Sequence, residues 1–248
     1  MRHRDDASQL ASEASGTSFP RSVLAVCAHP DDESFGLGAV IGELIARGAR
    51  TSVLCFTHGE ASSLGSSTFS LHEDRHRELA AAAAELGVQQ VTLRDHPDGA
   101  LGSVPLKELV SAVEEAAETV RADLLLVFDE GGVTGHADHC RATEAALATR
   151  SDLPVLAWNV PRGVGEALNA EFGATFLGRD DEEFDVVMPV DRATQRRAIA
   201  CHVSQSTDNP VLWRRLELLG DTESLRWLRR PAVAHGGMGA LFPRSPPP

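Results

Sequence analysis

The sequence has no tyrosine, and aromatic residues make up only 5% of its 248 positions. It lacks any apolar run near the roughly 20 residues that a membrane-spanning helix needs, so we predict no membrane interaction. Four widely separated cysteines without a C-x-x-C pair argue against a disulfide framework and favour a reducing compartment, the cytoplasm. Basic residues are scarce: 23 Lys and Arg face 36 Asp and Glu, for a formal net charge of -13. This balance supplies no basic face and excludes the nucleic-acid-binding class.

The two ends of the chain are predicted to lie outside the folded part. Residues 1–20 carry neither the apolar stretch nor the cleavage pattern of a signal peptide, and we expect a flexible arm there. Residues 244–248 are expected to form a disordered tail. Between them, residues 21–243 show no internal repeat or linker and are long enough to bury a sizeable core, which predicts a single domain.

Short apolar or β-branched runs alternate with longer helical patterns, which is typical of βαβ units and a mostly parallel sheet. The fold class is therefore α/β, a mostly parallel sheet flanked by helices. The near-continuous hydrophobicity of the runs predicts strands that are covered on both faces. Strands are predicted at residues 22–28, 50–57, 88–94, 122–129 and 153–160, and helices at 36–47, 71–86, 104–120 and 137–149.

The rhythm changes after residue 160, which predicts a C-terminal β/α extension. Residues 171–190 are typical of one or two strands with an acidic turn. Helices at 191–203 and 210–219 are predicted to follow.

Four polar clusters follow the first four predicted strands. Because parallel sheets bind ligands beyond the carboxyl ends of their strands, we expect these clusters to converge on one rim. They are HPDDE at 29–33, THGEAS at 57–62, DHPDGAL at 95–101 and DEGGVTGHADH at 129–139.

The first cluster points to a metal ion rather than a phosphate. A phosphate-binding turn would be rich in glycine, whereas this one offers consecutive carboxylates that a divalent cation would neutralise. His29 and Asp32 have side chains that suit zinc, and one imidazole from the HADH segment would complete a three-ligand catalytic site. Alternatively, the acids complement a helix dipole, and for Glu33 alone we favour that interpretation.

These segments resemble one known family. AHPDDE at 28–33, R-x-x-E at 75–78, LGV at 86–88, PDGAL at 97–101, HADH at 136–139 and HVSQ at 202–205 are similar to the PIG-L/LmbE family of zinc-dependent N-deacetylases, over residues 21–206. The resemblance implies a hydrolase with a Rossmann-type sheet. Its substrate would be a small amino-sugar molecule that loses an N-acetyl or related N-acyl group from glucosamine, as in mycothiol precursors, glycolipid anchors and glycosylated antibiotics.

The resemblance also implies roles for the central residues. His29, Asp32 and His139 would bind one Zn2+ per chain, although another divalent transition metal would also suit them. Asp31, next to a ligand yet free of the metal, would be the general base that takes a proton from the attacking water. His136 would stabilise the oxyanion or protonate the leaving amine.

Further residues have alternative interpretations. Asp138 would either orient His136 and raise its pKa or cap a helix. Arg75 and Asp98 match family positions that bind sugar hydroxyls, but a helix-capping arginine and a turn aspartate would look the same. His202 and Gln205 would shape the pocket or simply pack.

The chain departs from the family pattern at two positions. Thr134 stands where some members place a tyrosine that polarises the carbonyl, and Ala137 replaces a common proline. Neither departure removes a predicted ligand.

His58 and His96 have no family match, and we expect both to be solvated.

Two alternative functions stay open. A mycothiol S-conjugate amidase would cut another amide with the same metal and base, and residues 58–70 and 161–183 would decide between the two. A non-catalytic Rossmann-like binding module would carry a glycine fingerprint in its first turn, which this sequence lacks. A homo-oligomer is compatible with either.

Overall fold

The computed structural model describes residues 19–62, 71–150 and 152–231. The predicted arm, up to residue 18, and the predicted tail lie outside the described residues, and the single-domain assignment stays a prediction. Seven strands form one sheet in the order β3-β2-β1-β4-β5-β7-β6. They are β1 Ser22–Cys27, β2 Arg50–Thr57, β3 Gln90–His96, β4 Leu124–Phe128, β5 Val155–Asn159, β6 Val186–Pro189 and β7 Thr222–Arg229.

The first five strands pair in parallel, as the alternation of strands and helices predicts. Strands β1, β4 and β5 are buried throughout, and β2 is buried after its first residue. The prediction that every strand is covered on both faces is wrong for β3, which is half-exposed along most of its length. Strand β3 is one edge of the sheet, and within the described residues it pairs with β2 alone and has no strand on its other side.

Helices cover both faces of the sheet, and most lie where the apolar spacing predicts them. The predicted helix at 36–47 begins earlier and is interrupted at residues 36–37. None of the helices in the described ranges has the length and apolarity to cross a bilayer. The helices are α1 Asp32–Phe35, α2 Gly38–Ala46, α3 Leu71–Leu86, α4 Leu106–Val120, α5 Gly132–Gly135, α6 Ala137–Leu147, α7 Arg162–Phe172, α8 Ala193–Cys201, α9 Val203–Ser206 and α10 Pro210–Leu219.

The C-terminal extension reverses the strand direction. Within residues 171–190 a single strand forms, β6, and it pairs with β7 in antiparallel fashion. Strand β7 also pairs antiparallel with β5 and so inserts between β5 and β6. Neither β7 nor α7 was predicted from the sequence, because the spacing of apolar residues does not indicate which strand a distant segment will join.

The core consists of two layers, one on each face of the sheet. Val23 and Ala25 of β1 point into one layer and Leu24 and Val26 into the other, as the two-residue period of a strand requires. Helices α2, α3 and α8 pack in the first layer, whereas α4 and α6 pack in the second. This arrangement confirms the Rossmann-like α/β prediction.

Gly36, between α1 and α2, lies against the aromatic part of the first layer. A Cβ atom at this position would approach the Phe128 ring to 2.3 Å and the Trp158 ring to 3.2 Å. Gly42, in the middle of α2, would meet no atom within 4 Å. An added methyl group would therefore clash at Gly36 but would fit at Gly42.

We expect Gly36→Ala to lower the free energy of unfolding by about 1–3 kcal/mol, because the added carbon overpacks a filled core. Gly42→Ala should raise it by about 0.5–1 kcal/mol, because alanine loses less backbone entropy in a helix. Urea denaturation of both variants measures the difference. Equal effects in the two variants would contradict the close packing at Gly36.

Candidate active site

The four polar clusters converge on one cleft, as predicted. A cavity of about 520 Å³ opens beyond the carboxyl ends of β1, β2, β3 and β4. Its lining includes side chains that come from segments following β1, β3 and β4: His29, Asp31, Asp32, Asp98, His136 and His139.

Asp32 is the buried anchor of this cluster. Its Oδ2 accepts hydrogen bonds from the backbone N–H groups of Ala28 (2.9 Å) and His29 (3.0 Å). Its Oδ1 lies 3.1 Å from Nε2 of His139. Burial alone would raise the pKa of Asp32, but the neighbouring imidazoles of His139 and His29 outweigh it and hold that pKa well below its usual range. Asp32 is therefore a fixed carboxylate.

His139, on the first turn of α6, is oriented by a backbone carbonyl. Its Nδ1 lies 3.1 Å from the carbonyl oxygen of Gly132, which assigns the proton to Nδ1 and leaves Nε2 facing Asp32. Gly132 has φ +65°, and a Cβ there would lie 3.0 Å from the sulfur of Cys140. This close approach explains a glycine at position 132.

His29 lies between the imidazole of His139 and the carboxylates of Asp98 and Asp138. Its Nδ1 lies 3.2 Å from His139 Nε2, and its Nε2 lies 3.0 Å from Asp98 and 3.3 Å from Asp138. Burial lowers the pKa of His29, but the hydrogen bonds to Asp138 and Asp98 raise it to about 10. In a neutral His29 the proton on Nε2 would serve those carboxylates, and Nδ1 would be available as a ligand atom.

The three predicted ligands present a donor set that fits zinc. In this triangle of side chains, His139 Nε2 lies 3.2 Å from His29 Nδ1 and 3.1 Å from Asp32 Oδ1, whereas the other oxygen of Asp32, Oδ2, lies 3.9 Å from His29 Nδ1. Ligand atoms about 2.0–2.1 Å from a tetrahedral zinc ion stand about 3.3 Å apart. Two groups among the described residues bring single ligand atoms within 4.8 Å of one another, and each contains only part of the predicted set: His29 with His136 and His139, and His29 with Asp98 and Asp138.

Asp138 and His136 differ from their predicted relationship. The Asp138 carboxylate accepts from the backbone N–H groups of Gly99 (2.8 Å) and Leu101 (3.0 Å) and contacts His29, so it orients His29 rather than the His136 side chain. His136 itself caps α6, because its Nδ1 accepts from the Asp138 backbone N–H at 3.3 Å. Burial and the neighbouring His139 lower the pKa of His136; Asp138 acts in the predicted, raising direction but is outweighed.

Asp31 lies beside the metal-ligand triangle in an unusual backbone conformation. Its φ of 109° is rare for a residue with a side chain, and such strain is concentrated at functional sites. Its Oδ2 accepts from Nη2 of Arg75 at 2.8 Å. Burial raises the pKa of Asp31 to about 6, against the lowering effect of Arg75 and with a contribution from Asp32. A carboxylate with this pKa is suited to accept a proton near neutral pH.

The two predicted sugar-binding residues also have partners within the protein. Arg75 is only 2% exposed and donates to Gly59 O (2.9 Å), to Pro30 O and to Asp31. Asp98 contacts His29 and accepts from the backbone N–H of Ala61 at 2.7 Å. Both line the cleft, and their contact with a sugar stays a prediction.

Comparison with known proteins agrees with this geometry. The family model described as PIG-L, GlcNAc-PI de-N-acetylase, matches residues 24–149, which contain the whole cluster. The chain belongs to the PIG-L family.

Relatives of this PIG-L chain are deacetylases by name. The 1D-myo-inositol 2-acetamido-2-deoxy-alpha-D-glucopyranoside deacetylase of Kineococcus radiotolerans is 29% identical over 180 residues, 60% of this chain and 49% of that protein. The chain thus spans about half the length of that relative. A Bacillus anthracis protein named probable N-acetyl-alpha-D-glucosaminyl L-malate deacetylase 2 is 27% identical over 217 residues, 85% of this chain and 92% of the relative.

A solved structure shares the PIG-L fold. The zinc-inhibited form of teicoplanin deacetylase Orf2 superposes with a TM-score of 0.61 at 17% sequence identity. The superposition covers 86% of this chain and 100% of the Orf2 chain. At this identity the likeness establishes the fold alone.

One buried pair of this PIG-L chain was not predicted. Glu33, interpreted as a helix-dipole acid, is 0% exposed and pairs with His202, whose Nε2 lies 2.7 Å from its Oε1. The other oxygen of Glu33 accepts from the backbone N–H of Asp31 at 2.9 Å. The pair therefore supports the backbone at the strained residue Asp31. The HVSQ segment marked His202 as a residue of interest, but nothing in the sequence connects His202 to Glu33.

The remaining predicted residues lie at the edges of the site. Thr134 lines the cleft, and its carbonyl oxygen accepts from the Thr175 hydroxyl at 2.8 Å. His58 is buried rather than solvated, with its Nε2 2.8 Å from Asp95, and His96 lies 3.6 Å from Glu108. Gln205 lines the cleft and accepts from the Ser62 hydroxyl at 2.7 Å.

We expect Arg75→Met to lower the free energy of unfolding by about 3 kcal/mol or more, because it removes one partner of a buried charge pair. Arg77→Met is the matched control on the same helix. Arg77 pairs with Asp74 at the surface, so its loss should cost less than about 1 kcal/mol. Chemical denaturation compares the two, and similar losses would contradict a structural role for the Arg75–Asp31 pair.

Proposed function

We propose that the protein is a zinc-dependent hydrolase that removes an N-acetyl group from a glucosamine-containing small molecule. One observation carries the proposal: two imidazoles and the carboxylate of Asp32 form a triangle of side chains, and a second carboxylate, that of Asp31, lies beside it. Membership of a de-N-acetylase family supports the same reaction.

The side chains His29, Asp32 and His139 would hold the metal. Zinc bound there lowers the pKa of a bound water and polarises the amide carbonyl of the substrate. The second nitrogen of each imidazole is already held, on Gly132 O for His139 and on Asp98 and Asp138 for His29. Such outer contacts fix ring orientation and increase ligand basicity.

Asp31 would act as the general base. It stands next to the ligand Asp32, and its raised pKa of about 6 suits proton transfer near neutrality. Arg75 and the Glu33–His202 pair hold this residue in position from two sides.

His136 would serve the leaving group. It is exposed at the cleft, and its ring lies 4.6 Å from that of His139. Its lowered pKa favours the neutral ring, whose N–H would donate a hydrogen bond to the oxyanion, whereas protonation of the departing amine would use the imidazolium form.

The substrate class follows from the lining of the cleft and from the relatives. Asp98 and Arg75 offer polar groups to sugar hydroxyls, and the relatives are named for N-acetylglucosamine linked to inositol or malate and for teicoplanin. The four cysteines are free thiols, and the cytoplasmic location stays a prediction.

Two adjacent, chemically identical substitutions test the assignment. Asp31→Asn should retain zinc but lose about 10²- to 10⁴-fold in turnover, because the amide cannot accept the proton. Asp32→Asn should lose most of the zinc as well as the activity. The measurements are zinc content by plasma mass spectrometry and acetate release from N-acetylglucosaminides, with zinc supplied at one equivalent.

Two controls belong to this experiment. Chelator-treated protein should be inactive and should recover when zinc is returned. The proposal fails if Asp31→Asn keeps full activity, or if zinc-loaded protein releases no acetate from any N-acetylglucosaminide tested.

A further inference from the structure

The cleft contains a second guanidinium besides that of Arg75. Arg215, on α10, is half-buried and lines the cleft beside Trp158. Its Cζ lies 5.4 Å from the centre of the Trp158 ring, and its Nη2 donates to the carbonyl oxygen of Phe35 at 2.7 Å. These contacts hold the planar head of Arg215 in place.

Arg215 has no charge partner in the part of the chain that the structure describes. Its Nε is buried and has no hydrogen-bond acceptor. The nearby carboxylate of Glu223 is already occupied, by Arg192 at 2.5 Å and by the Trp158 N–H at 2.5 Å. By contrast, Arg75 in the same cleft is paired with Asp31.

A half-buried cation without a counter-charge is costly, and a protein tends to neutralise or pair it. Burial lowers the pKa of Arg215 to about 10, which still leaves it protonated at neutral pH. The carboxylates whose charge acts on Arg215 are engaged elsewhere: Glu223 is paired with Arg192, and Asp31 and Asp32 lie at the candidate metal site. Arg215 is therefore a cation free to bind an anion that enters with the ligand.

The position of Arg215 indicates which part of a substrate it would meet. Phe128 packs on His139 with a ring separation of 4.8 Å, and Trp158 packs on Phe128 at 5.4 Å. Arg215 in turn lies over the Trp158 ring, with its Cζ 5.4 Å from the ring centre. A row of contacts through two aromatic rings thus connects the metal ligand with the guanidinium.

We propose that Arg215 is a specificity-determining residue that binds an anionic group, a carboxylate or a phosphate, which the substrate carries away from its N-acyl group. The proposal rests on the proposed deacetylase function and adds a substrate class to it. A guanidinium binds either anion through charge-assisted, often bidentate, hydrogen bonds.

Three substrates test whether Arg215 recognises an anion, and which one. They are N-acetylglucosamine linked to L-malate, N-acetylglucosamine 1-phosphate, and N-acetylglucosamine linked to neutral myo-inositol. In the zinc-loaded protein, Arg215→Gln should lower kcat/KM at least about tenfold for one or both anionic substrates, mainly by raising KM. The neutral substrate should change less than about twofold. The preferred anion distinguishes a carboxylate from a phosphate.

The matched control is Arg214→Gln on the same helix. Arg214 forms a two-point surface pair with Glu171, at 2.8 and 2.9 Å, away from the cleft. It should leave the kinetics of all three substrates unchanged. An equal loss on neutral and anionic substrates in Arg215→Gln would overturn the proposal and indicate a purely structural arginine.

A binding measurement separates this proposal from the deacetylase assignment. If no substrate is turned over, the proposed function fails, and calorimetry with L-malate and inorganic phosphate on metal-free protein still tests the cation. At least one anion should bind about tenfold more weakly to Arg215→Gln than to the native chain or Arg214→Gln. Equal binding by all three proteins, or none, would overturn the role of Arg215.

Discussion

Three consecutive carboxyl groups lie at the end of a buried central strand, and removing them from water has to be compensated. Each residue has its own partner. Asp31 pairs with Arg75, Asp32 accepts two backbone N–H groups and faces His139, and Glu33 pairs with the fully buried His202. The three partners come from distant parts of the chain, so the fold must be complete before the acids can be buried.

This requirement connects the loops around the cleft. Asp138, at the start of α6, binds the backbone of Gly99 and Leu101 in the loop after β3, and it also contacts His29 after β1. One buried carboxylate therefore sets the distance between three strand ends. The same contact leaves Nδ1 of His29 facing His139, which is the orientation that a metal ion would need.

The sequence predicted the parts of this arrangement that depend on local pattern. The strands that became β1, β2, β4 and β5 are continuous apolar runs, and the polar clusters directly follow the strand ends. The order of the strands then brings His29, Asp32 and His139 together, as a parallel sheet requires. The predicted role of each side chain depends on contacts that local pattern cannot show.

The predictions failed where a partner lies far away in the sequence. The half-exposed edge strand β3 and the inserted antiparallel strand β7 follow from the order of the sheet, which apolar spacing does not encode. The partner of Glu33 lies 169 residues away, and that of the Asp138 carboxylate lies 109 residues away. Arg215 was not singled out at all, because a lone arginine in a helix carries no motif.

We propose that His29, Asp32 and His139 hold a catalytic metal ion. Anomalous X-ray scattering at the zinc edge, from crystals given one equivalent of zinc, tests this. We expect one peak about 2.0–2.1 Å from His29 Nδ1, Asp32 Oδ1 and His139 Nε2. A peak between His29, Asp98 and Asp138 instead, or no ordered zinc in the cleft, would contradict it.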